Sequence, residues 1–129
     1  MNTEYIKIKN HINGEWVNES NGQYEPLKNP STGAIIGEVP LSSAETSRQA
    51  TAAAAEAFPA WSATPLPKRM NYIFDLQQAM KDNLEELAQS IAIDQAKHIA
   101  EARGEVGRVI EIVQMACSIP ATIQGETVQ

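Results

Sequence analysis

Ile35-Ile36-Gly37-Glu38-Val39-Pro40-Leu41-Ser42-Ser43-Ala44-Glu45 decides the fold, because within it the chain passes from a strand pattern to a helix pattern. Ile35 to Val39 is a short run rich in β-branched residues, and Pro40, which cannot donate to a ladder, is expected to end it. Ser42 and Glu45 then have the Ser-x-x-Glu spacing of a capping box, which predicts a helix start. The expected class is α+β, with strands and turns over residues 1–41 and helices over 42–120 of a single segment, 1–129.

Toward the N-terminus the turn signals recur. Asn29-Pro30-Ser31-Thr32-Gly33 and Ser20-Asn21-Gly22 read as turns. Ile12-Asn13-Gly14-Glu15-Trp16-Val17 places Asn-Gly between apolar flanks, which predicts a type I′ hairpin, and Ile6 and Ile8 alternate with Lys7 and Lys9 as in a strand. None of these glycines has the spacing of a phosphate-binding loop.

Toward the C-terminus four helices are expected. Ala50, Ala53, Ala54, Ala57 and Phe58 share one face of the first, which Pro59 is expected to close. Pro65 and Pro67 suit the opening turn of the second, with Met70, Ile73, Phe74 and Met80 as its apolar stripe. Asn83 and Glu86 form a capping pair for the third, which carries Leu84, Leu87, Ala88 and Ile91 and runs to about Gln95. The fourth starts near Ile99 and ends at Ile119-Pro120, with Ala102, Val106, Val109, Val113 and Cys117 on its buried side.

Composition narrows the function. A chain of 129 residues with 43% hydrophobic and 20% charged residues is ordinary globular material, long enough for one core. A net charge of −6 and scattered basic residues disfavour nucleic acid and anionic membrane, both of which need cations to neutralise phosphate. The lone Cys117 allows no internal disulfide, and His11 and His98 have no metal-ligand spacing, so no metal site is expected. No stretch approaches the roughly 18 apolar residues of a membrane span, and Met1 to Asn10 lack the apolar run of a secretory signal.

Few residues stand out chemically. Glu105 and Arg108 are helix neighbours at i, i+3 and by themselves read as a surface ion pair. Gly104 and Gly107 are costly inside a helix, which suggests close packing of another backbone or a substrate channel. Cys117 sits at core spacing with no nearby cation in sequence to activate it, so it reads as a small hydrophobe.

Glu101-Ala102-Arg103-Gly104-Glu105-Val106-Gly107-Arg108, followed by Met115-Ala116-Cys117-Ser118-Ile119-Pro120 and Gly125-Glu126-Thr127, resembles the CoA-acylating methylmalonate-semialdehyde dehydrogenases of the aldehyde dehydrogenase superfamily. His11-Ile12-Asn13-Gly14-Glu15-Trp16, Asn29 to Gly33, Ile36 to Pro40 and Ala57-Phe58-Pro59-Ala60-Trp61 are similar to that superfamily in the same order. Asp94-Gln95-Ala96-Lys97 departs from it, since Ala96 stands where glycine is usual and His98 where a small polar residue is usual. The substitution puts a left-handed helix cap in question.

The resemblance implies the front of an α/β enzyme that oxidises a semialdehyde. In that family NAD accepts a hydride from a thiohemiacetal on a cysteine, CO2 is lost, and CoA takes the acyl group. It assigns to Arg108 the holding of the substrate carboxylate and places no catalytic or cofactor-binding residue in 1–129. The expectation is therefore an inactive N-terminal fragment, lacking the catalytic domain, of an NAD- and CoA-using enzyme. The family is typically a homotetramer, in the cytoplasm or, after loss of a leader, the mitochondrial matrix. Another aldehyde dehydrogenase for a carboxylated semialdehyde, or an inactive helical interaction module, are the alternatives.

Overall fold

The computed structural model describes residues 5–123 and Gly125. Of the stretches that carry the resemblance, Glu126 and Thr127 lie outside the described residues, as do Met1 to Glu4 of the segment read for a secretory signal. Two compact units divide between Ala63 and Thr64.

In the first unit, β1 (Ile6–Lys7), β4 (Tyr24–Lys28) and β5 (Ile35–Pro40) form one sheet in the order β1-β5-β4. β1 runs parallel to β5, and β4 antiparallel to it. β5 ends at Pro40 as expected, with the proline itself as the last strand residue, opposite Tyr24. A proline is tolerated at a strand end, where one fewer donor matters little. β2 (Asn10–Ile12) and β3 (Glu15–Val17) make the expected hairpin, with Asn13 at φ 52° and Gly14 at φ 81°, the paired positive φ of a type I′ turn. Trp16 lies 4.7 Å from His11, ring centroid to ring centroid, and stays exposed.

Gly37 has a steric role that its sequence context does not announce. A Cβ at this position would sit 2.2 Å from the Ile6 carbonyl oxygen, so only glycine lets β5 approach β1 this closely.

α1 (Ala44–Ala63) begins one residue later than predicted. Its cap is Ser43, whose Oγ accepts from the Thr46 N–H at 3.1 Å, while Ser42 instead exchanges hydrogen bonds with Asn10 and Glu45 pairs with Arg48. Pro59 does not close the helix but lies inside it. The alanines on either side carry the helix through, since the missing N–H removes one bond and leaves their high propensity intact. No residue of α1 is buried, although Ala53 is half-buried, and Phe58 and Trp61 are exposed.

The second unit holds α2 (Leu66–Asp82), α3 (Leu84–Gln95), α4 (Ile99–Ala116) and a short α5 (Ile119–Thr122), so the last predicted helix is two. The break follows the bend after Ala116, and Pro120 suits the first turn of α5. Pro65 and Pro67 open α2 as expected, and Met70 is its buried residue, but Phe74 points outward at 50% exposure. Asn83 does not cap α3 with its side chain, which donates back to the Ala79 carbonyl at 2.8 Å.

The core of this unit is Ala88 of α3 with Ala102, Val106 and Ile110 of α4, flanked by Met80, Leu84, Ile91, Ala92 and Ile99. Val109, expected on the buried side, is 44% exposed, and Ile110 takes its place. At about 100° per residue, Ala102, Val106, Ile110 and Val113 fall in one arc, and Val109 lies about 60° from its centre.

Candidate functional site

The candidate site is built on α4 and the link that leads into it. α3 ends at Ala96, which takes the left-handed conformation at φ 54°, ψ 31°. The cap that alanine put in question therefore forms, without the glycine that normally makes it inexpensive. His98 caps α4, its Nδ1 accepting from the Ala100 N–H at 3.3 Å.

Two ion pairs then fix α4. Arg103 donates through Nε and Nη2 to the two oxygens of Glu85 on α3, at 2.8 and 2.7 Å, the bidentate geometry that a guanidinium favours. That hydrogen bonding holds the Glu85 carboxyl below its usual range and pushes the Arg103 guanidinium up. Lys97, from the link, pairs closely with Glu105 on α4. The Lys97 ammonium is the main cause of a Glu105 pKa below the ordinary carboxylate value, opposed by partial burial.

Arg108 lies one turn beyond Glu105, as the spacing predicts, but their contact is long at 3.8 Å, and the Arg108 side chain is 70% exposed. The surface ion pair read from the sequence is thus the weaker of two claims on Glu105. A planar, permanently charged guanidinium held loosely at the surface is suited to receive a carboxylate. The sequence reading missed both Lys97 and Arg103, because their partners lie across a link or on another helix, where helical periodicity carries no signal.

Gly104, Gly107 and Cys117 also belong to α4 or its cap. Cys117 is half-buried at the C-terminal cap of α4, where its N–H donates to the Val113 carbonyl at 3.1 Å. A Cβ at Gly104 or Gly107 would meet no atom within 4 Å, so the close packing expected from these glycines is not made by the described residues. Among the described residues, no group of three or more His, Cys, Asp or Glu side chains converges as a metal site would require, and no helix is long and apolar enough to cross a membrane.

A buried polar centre lies in the first unit. Glu19 is 5% exposed and accepts from Thr46 Oγ1 at 3.0 Å and from the Asn21 N–H and Asn10 Nδ2, each at 3.4 Å. Burial pushes its carboxyl up, but the hydrogen bonds, led by Thr46, outweigh it and leave the pKa below the usual value. This ties the Asn10 strand, the Ser20–Gly22 turn and the start of α1 together.

The model of the aldehyde dehydrogenase family matches residues 16–129, and the chain belongs to that family. Within it, the malonate-semialdehyde dehydrogenase of Bacillus velezensis (strain DSM 23117 / BGSC 10A6 / LMG 26770 / FZB42) is 43% identical over 124 residues, covering 96% of this chain and 26% of that enzyme. The methylmalonate-semialdehyde dehydrogenase of Oceanimonas doudoroffii superimposes with a TM-score of 0.88 at 35% identity, over 93% of this chain and 24% of that one. A Sinorhizobium meliloti 1021 protein assigned to the methylmalonate-semialdehyde dehydrogenases and solved with NAD gives a TM-score of 0.91 at 28% identity, over 98% and 26%. The chain thus spans about a quarter of the length of these relatives, 26% in the first.

Proposed function

We propose that this chain is the N-terminal segment of a CoA-acylating malonate- or methylmalonate-semialdehyde dehydrogenase, in which Arg108 helps to hold the substrate carboxylate. The net reaction converts semialdehyde, CoA and NAD to acyl-CoA, CO2 and NADH. The observation that carries this reading is the 43% identity to a malonate-semialdehyde dehydrogenase across 96% of the chain. The loose Arg108–Glu105 contact supports the assigned role, because a guanidinium already committed to a close bidentate partner could not accept a second carboxylate in the same way.

The described residues do not themselves fit a dinucleotide. Gly14, Gly22 and Gly33 lie in turns that lead into strands, whereas a phosphate cradle needs a glycine-rich loop opening onto a helix N-terminus. Nicotinamide binding therefore falls to other parts of the proposed enzyme. The enzyme of this reading is a homotetramer in the cytoplasm or the mitochondrial matrix, and a single cysteine suits such a reducing compartment.

The test is substitution of Arg108 in the full-length enzyme. Arg108→Leu is expected to cost about 2–4 kcal/mol in kcat/KM for malonate semialdehyde, the range for a charge pair that becomes buried when the substrate binds, and far less for propanal. Arg108→Lys should be intermediate, since it keeps the charge without the fork. Equal losses on both aldehydes in a folded enzyme would overturn the assignment.

A further inference from the structure

Lys97 and Arg108 address the same atom. The Lys97 ammonium pairs closely with Glu105 Oε1, and the Arg108 Nη2 stands 3.8 Å from that oxygen. The two contacts differ in environment as well as length, the side chains of Lys97 and Glu105 being 25% and 34% exposed and that of Arg108 70%. The less hydrated pair is the stronger one, because water screens it less.

We infer that Lys97 is a positioning residue for Arg108: by occupying Glu105 it keeps the neighbouring guanidinium open to an incoming carboxylate. This rests on the role proposed above for Arg108. Without the ammonium, Glu105 would be a carboxylate whose remaining ion-pair partner among the described residues is Arg108, one helical turn away, at the i, i+3 spacing at which such pairs close readily. It would then compete, within the protein, for the fork that the substrate needs. Lys97 can reach Glu105 because the left-handed Ala96 turns the chain sharply between α3 and α4.

The experiment compares Lys97→Met, Lys97→Arg, Glu105→Gln and the Lys97→Met/Glu105→Gln double variant in the full-length enzyme, with Arg108→Leu alongside. Steady-state kinetics are read on malonate semialdehyde and on propanal. Lys97→Met is expected to raise KM for malonate semialdehyde roughly two- to fivefold, the range of an exposed ion pair, with kcat nearly unchanged and propanal kinetics unaltered. Lys97→Arg should restore the KM, and so should the double variant, which removes the competitor. If Lys97→Met does not fold, Glu105→Gln alone still decides, with a KM at or below that of the parent expected and a selective rise overturning the inference. An unchanged KM in Lys97→Met, or equal changes on both substrates, overturns it while leaving Arg108 in place. Failure of Arg108→Leu to discriminate the substrates overturns the Arg108 reading and this inference with it.

Discussion

Ala96→Gly should stabilise the helical unit, and the size of the gain follows from the backbone. Ala96 holds φ 54° and ψ 31°, where a Cβ crowds the following carbonyl at a cost of about 1–2 kcal/mol. Glycine removes that cost but returns about 0.5–1 kcal/mol through the greater freedom of the unfolded chain. Ala96 is exposed, so its methyl contributes little packing that would be lost. The net gain is about 0.5–1 kcal/mol, or a rise of roughly 2–8 °C in the midpoint for a unit of this size. Thermal unfolding followed by helical circular dichroism measures it. The order Gly, Asn, Ala, Val, from most to least stable, is the specific signature, because Asn tolerates the left-handed region and a β-branched residue does not. An unchanged or lowered midpoint for Ala96→Gly, or Val tolerated as well as Ala, would refute a left-handed cap at this position.

Gly37→Ala should detach β1 from β5, since the new methyl would lie 2.2 Å from the Ile6 carbonyl oxygen; loss of amide protection at Ile8, whose N–H donates to Glu38, would report it, and retained protection would contradict the steric argument. Ile110→Ala should cost about 2–4 kcal/mol by urea denaturation and Val109→Ala under about 0.5, the reverse of what the sequence spacing alone implies. Glu19 has a folded pKa below its unfolded one, so its contribution is present at neutral pH and is lost as pH falls from its ordinary value near 4.5 through the depressed folded value. Thr46→Val, which removes the leading hydrogen bond, should flatten that part of the acid-unfolding curve, and an unaltered curve would show that the bond is not coupled to stability.

What could be read from the sequence was local chemistry with a fixed geometric meaning. Asn13-Gly14 specifies a turn whatever surrounds it, and Pro65-Pro67 suits a helix start because the first N–H groups have no helical partner. The misreadings arose where two local solutions compete. Ser42 and Ser43 are equally able to cap, and the choice was made by Asn10, far away in sequence, which engages Ser42. Val109 and Ile110 both border the apolar arc of α4, and packing against Ala88 and its neighbours favours Ile110. Arg108 is singled out by the family resemblance alone, and its setting is not legible in the sequence, because Lys97 reaches Glu105 through the bend at Ala96. Gly37 looked like any strand glycine, since nothing in sequence reveals that Ile6 passes beside it.

The division between Ala63 and Thr64 also separates the chromophores. Trp16 and Trp61, the only two tryptophans, both precede it, while Tyr72 is the sole residue after it that absorbs appreciably near 280 nm. Tryptophan emission therefore reports on the hairpin and α1, which carry both indoles, whereas Tyr72 emission reports on α2 where Tyr5 and Tyr24 are silenced. Melting curves taken by tryptophan emission and by far-ultraviolet dichroism on this chain sample different populations of bonds, and a gap between them measures how independently the two units come apart.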